Sequence, residues 1–149
     1  MTIQDLHNKA MELADQGDFL KMQGKIDDAL TFYDKSLEAE REAAYSARRQ
    51  NIGEPSESVL FRSVASLAYS IKDFREAERL ICMGLAGNPP VEIAEELRSL
   101  YDTVNFDRKM ESMEVSNSEE HQSVTVTLPA HERNLLKVLV KKFGWACIF

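Results

Sequence analysis

The side chains able to do chemistry are few in kind and scattered in position. Three histidines, His7, His121 and His131, stand too far apart for the HExxH spacing that sets two imidazoles around one metal. His131 and Glu132 are adjacent, so on a helix they diverge by about 100° and cannot share a ligand. All three imidazoles are expected in solvent. Carboxylates such as Asp15, Asp18, Asp27, Asp28, Glu95 and Glu96 could pair for general acid–base work. Each falls where a solvated helix face or the positive start of a helix already accounts for it. Cys82 lies between the apolar Ile81 and Met83, the setting of a small buried thiol rather than an activated thiolate. Neither a GxSxG elbow nor a glycine-rich phosphate loop occurs. The expectation is a non-enzymatic chain with no metal site and no cofactor.

Charge narrows the partners. A chain of 149 residues with 44% hydrophobic content can close one core and is short for two. Its net charge of −7 is uneven: residues 1 to 120 carry 14 Lys and Arg against 24 Asp and Glu, and residues 121 to 149 carry four against one. A body near −10 repels phosphate backbones, so nucleic acid is disfavoured there and only the basic tail is open to it. Cys82 and Cys147 form no CxxC and suggest a reducing compartment. No leader pattern opens the sequence, and no segment reaches the roughly 18 apolar residues needed to cross a bilayer. A cytoplasmic protein is expected.

Helices must position whatever this chain binds with. Thr2 can cap a first helix with Asp5 three residues on, and Ile3, Leu6, Ala10, Leu13, Gly17 and Leu20 follow at spacings of three and four, predicting a helix over about 3–22. Gly24 makes the turn. A second helix starts near Asp27 and meets no Pro or Gly until Gly53, so it can run to about Gln50. The stretch NIGEP, residues 51–55, breaks it. A second hairpin follows from Ser56, with its turn at Lys72 and Asp73. Pro90 opens another helix, with Val91, Ala94, Leu97, Tyr101 and Val104 on one face. From Asp107 to Ser123 the apolar period fades and a flexible linker is expected. Val124, Val126 and Leu128 then alternate with Thr125 and Thr127 as a strand, and Pro129 opens a final amphipathic helix.

Between Ala10 and Arg41 the pattern resembles a tetratricopeptide repeat, whose period is about 34 residues. Gly17 takes the small position of the first helix, Ala29 the small position opening the second, and Tyr33 the aromatic position; Leu13 stands where the family usually has Trp. Phe61, Ala65 and Ala68, then Phe74, Ala77, Ile81 and Gly84, make a second copy, and Pro89 falls at the family's terminal proline. Ala29 and Ala77 are 48 residues apart, about 14 beyond one period, and the sequence leaves open whether the excess is helix or loop. The resemblance implies an all-α body of two hairpins plus a capping helix over residues 1–106, to which the residue pattern adds a linker at 107–123 and a strand–helix tail at 124–149. Two hairpins are fewer than the three or so repeats usually needed, so the cap, the long helices or a dimer must make up the difference.

The same resemblance implies a protein or peptide partner held in a groove lined by the first helix of each hairpin. Groove positions carried onto this chain are Met11, Ala14, Asp18, Lys21 and Met22 in the first copy and Val59, Arg62, Ser66, Tyr69 and Ser70 in the second. Asp18, Lys21, Arg62, Ser66 and Tyr69 are the expected partner contacts. The family's clamp for a terminal carboxylate is not matched, because Ala14 and Asp18 occupy its positions and Asp18 would repel the ligand. The tail, closing in KKFGW, resembles the first half of a ribbon-helix-helix module and the strand–helix ends of small bacterial antitoxin-like proteins. Its stripe of Leu135, Leu139 and Phe143, with Trp145, is expected to dock on a partner or to pair two chains as a homodimer. The alternative is an antitoxin-like or DNA-associated regulator that uses Thr125, Thr127 and the tail lysines.

Overall fold

In a computed structural model, which describes residues 1–119, the chain forms α1 (Ile3–Met22), α2 (Ile26–Gln50), α3 (Ser56–Ser70), α4 (Phe74–Leu85) and α5 (Val91–Glu119). No strand occurs among the described residues, and the all-α class holds there. The chain divides into two compact units, Met1–Glu114 and Val115–Phe149, and the account below concerns the first. The expected strand–helix tail, including Leu135, Leu139, Phe143 and Trp145, lies outside the described residues. No described helix is long and apolar enough to cross a membrane.

The first helix starts where the sequence placed its cap. Thr2 Oγ1 accepts from Asp5 N at 3.1 Å and Asp5 Oδ2 accepts from Thr2 N at 2.8 Å, a reciprocal box that satisfies two of the helix's free donors. The hydrogen bond from Thr2 N, and next the Thr2 side chain beside it, hold the Asp5 carboxyl below its ordinary range. The chain reverses through Gly24 (φ 77°), a left-handed residue that glycine adopts at little cost. Gly17 then lets α2 close on α1: a Cβ there would lie 2.7 Å from the Tyr33 ring. Ser36 Oγ donates to Ala10 O at 2.7 Å, satisfying a buried hydroxyl inside the same crossing.

The excess between the two copies is largely helix. α2 continues to Gln50 and ends on left-handed Asn51 before the loop to Pro55. Its last turns are what join the hairpins. Tyr45 packs edge-on against Phe61 at 5.7 Å, the Arg48 guanidinium lies 4.3 Å above the same ring, and Arg48 also donates to Met83 O and pairs with Glu57, both at 2.7 Å. Phe61, Val64, Leu80, Ile81 and Leu97 are fully buried at the centre of the core.

α5 departs from the sequence expectation in two ways. Its buried residues are Ala94, Leu97 and Val104, with Tyr101 half-buried, but Val91 is 74% exposed. The helix also runs on to Glu119, so residues 107–119 are helical where a flexible linker was expected. The polar run looked structureless because it has no apolar period. A helix that begins on a packed face needs no such period to continue, since propagation adds one hydrogen bond per residue without a new nucleus. Residues 120–123 lie outside the described residues.

Candidate partner-binding groove

α1 and α3 run side by side in the same direction. Ile3, Gln4 and His7 share a cleft with Ser56, Val59 and Leu60, and near the other helix ends Lys21 shares a cleft with Tyr69 and Ser70. α5 contributes Asp107, Met110 and Glu111 to that second cleft. The first helices of both hairpins and the fifth helix therefore line one face, with a cleft of about 460 Å³ near its amino-terminal end and one of about 400 Å³ near its carboxy-terminal end.

The five expected contact residues fare differently. Lys21 and Tyr69 come together on the carboxy-terminal cleft. Lys21 is exposed and makes no ion pair among the described residues. Tyr69 donates its hydroxyl to Asp107 Oδ2 at 2.7 Å; that bond, then burial, raises its pKa. Arg62 is tied to Glu96 of α5, so the capping helix already engages this cation. Ser66 is exposed and donates back to Arg62 O at 3.0 Å, an ordinary intrahelical bond. Asp18 accepts the Tyr33 hydroxyl from α2 and so braces the first hairpin. Burial chiefly, and that Asp18 bond next, push the Tyr33 pKa up to about 12.

Two residues depart from their sequence readings. Cys82 is exposed rather than buried. One residue past the buried Ile81, it turns about 100° around α4 and leaves the core. His7, expected in solvent, is a half-buried member of a couple: its Nδ1 lies 2.9 Å from both carboxylate oxygens of Glu40. The Glu40 side chain is 0% exposed and the His7 side chain 31%, and His7 lines the amino-terminal cleft. A fully buried glutamate requires such a partner, because an unpaired buried charge is strongly destabilising. The sequence signal was available in Glu40, which sits on the same α2 stripe as Ala29, Tyr33, Ser36 and Leu37. His121 and His131 lie outside the described residues.

The remaining expected groove residues place the apolar content. Val59 lines the amino-terminal cleft with Ile3, Ile52 and Leu60, Met11 and Ala14 pack partly against the core, and Met22 is 87% exposed. This face thus offers an apolar cleft with one oriented imidazole at one end and a cation beside a tyrosine at the other. Comparison with family models, curated proteins and solved structures finds no match to this chain.

Proposed function

We propose that the chain is a non-enzymatic interaction scaffold of the tetratricopeptide type, whose α1–α3–α5 face takes up an extended segment of a protein partner. The observation that carries the reading is Lys21, an exposed cation without an ion pair among the described residues, beside Tyr69 on a cleft of about 400 Å³. A carboxylate side chain of the partner suits that end. An apolar side chain suits the cleft of Ile3, Ile52, Val59 and Leu60, where His7 supplies a polar contact. His7 and Lys21 are 14 positions apart on one helix, roughly 21 Å of axial rise, which an extended peptide spans with about six residues. Two polar anchors around an apolar cleft give such a segment a direction and a register.

A random peptide library displayed on phage and selected on the full chain tests this. The expected consensus holds Asp or Glu about five to seven residues from a large apolar residue. Lys21→Glu abolishes recovery of those peptides and Val59→Asp weakens it. Selection without a consensus, or a consensus indifferent to both substitutions, defeats the reading.

A further inference from the structure

We infer that the outer face of the α1–α2 hairpin is the interface of a two-fold homodimer. The α1–α2 pair is apolar on two sides. One side buries against α3 and α4; the other carries a crease formed by Leu13, Phe19 and Leu20 of α1 and Phe32 of α2. Two clefts of about 320 and 420 Å³ lie along this crease. Their α1 residues Leu6, Lys9, Leu13, Gln16 and Leu20 recur at spacings of three and four, one continuous helical ridge. Phe19 is 62% exposed at its end. At the opposite end of the array α5 covers the last hairpin through Ala94, Leu97 and Val104, but no described element covers this one. Helical arrays need both ends closed, and an array of two hairpins is short of the usual minimum.

Charge selects a second copy as the occupant. The body carries about −10, so two copies repel across most of their surfaces. On this face the balance is even: Lys9 and Lys35 stand with Asp15 and Glu38, and Glu42 is already paired with Arg49 at 2.6 Å. The hairpin register set by Ala10 with Ser36 and Gly17 with Tyr33 puts Lys9 level with Glu38 and Asp15 level with Lys35. A two-fold axis running along the crease lays α1 on the partner's α2 at the same level. Lys9 then meets the partner's Glu38, Asp15 meets the partner's Lys35, and the Phe19, Leu20 and Phe32 cluster meets its own image.

Sedimentation velocity of the full chain over a range of concentrations is the test. A species of twice 16.9 kDa is expected. Phe19→Glu weakens the dimer at least tenfold while leaving the helical circular dichroism unchanged, because Phe19 is largely exposed. Lys35→Glu weakens it as well, and adding Asp15→Lys restores it by rebuilding the pair across the axis. Should Phe19→Glu disturb folding, the charge-reversal pair alone decides. A chain that stays monomeric at every concentration overturns the inference. A dimer indifferent to these substitutions does the same, placing the contact elsewhere.

Discussion

In the turn of the first hairpin Lys25 N donates to Leu20 O at 3.0 Å, and 48 residues later Asp73 N donates to Ala68 O at 3.0 Å. Gly24 N bonds Lys21 O at 3.0 Å, and Lys72 N bonds Tyr69 O at 2.9 Å, with Gly24 and Lys72 both left-handed. The two hairpins repeat at the level of single backbone bonds. Their side chains do not. Leu13 is only partly buried on the outer crease, while its equivalent Phe61 is fully buried beneath Tyr45 and Arg48. The second hairpin lies between α2 and α5, and among the described residues the first has a neighbour on one side. A repeat fixes the local turn; what stacks on each copy decides the environment of equivalent residues.

The largest way to expose that difference is a pair of truncations read by urea unfolding. Phe61→Ala is expected to cost about 3 to 5 kcal/mol, since it empties a site sealed on all sides. Leu13→Ala should cost less, about 1 kcal/mol, because Leu13 is already partly exposed. Equal costs would mean that the two copies are buried alike.

Next in size is the alkaline limb of stability, which belongs to the first hairpin. The Tyr33 pKa is raised from 10.0 to about 12, so the neutral phenol is favoured by folding. Its contribution is fully present below pH 10 and is lost as pH rises through about 12. The contribution is about 2 to 3 kcal/mol on that shift. Thermal melts between pH 9 and 12 should decline for the native chain and decline less for Tyr33→Phe. An unchanged slope would remove Tyr33 from the account.

Gly17→Ala follows, at about 1 to 2 kcal/mol destabilising, because displacing the Tyr33 ring outweighs the gain in helix propensity. A stabilised variant would show that the ring yields freely. The smallest effect is expected for Arg62→Ala. The Arg62–Glu96 pair is partly exposed, with side chains 32% and 52% accessible, and such pairs contribute about 0 to 1 kcal/mol. Peptide recovery by that variant should match the native chain. A large loss would return Arg62 to the binding face.

The sequence by itself determined the first four helices, the start of the fifth, their order and both turns. Capping at Thr2, small residues at Gly17 and Ala29, and punctuation at Gly24 and the NIGEP loop act between near neighbours and need no tertiary information. It could not decide the fate of charged or isolated side chains. A carboxylate on a helix is solvated or buried according to what faces it, so Glu40 and His7 became a couple only when α1 crossed α2. Arg62 and Tyr69 acquired partners only when α5 settled beside α3. Lys21 shares its cleft with α3 and α5 but makes no ion pair among the described residues. Local interactions shaped the helices that line the groove, and long-range packing decided which of its side chains are paired and which stay exposed.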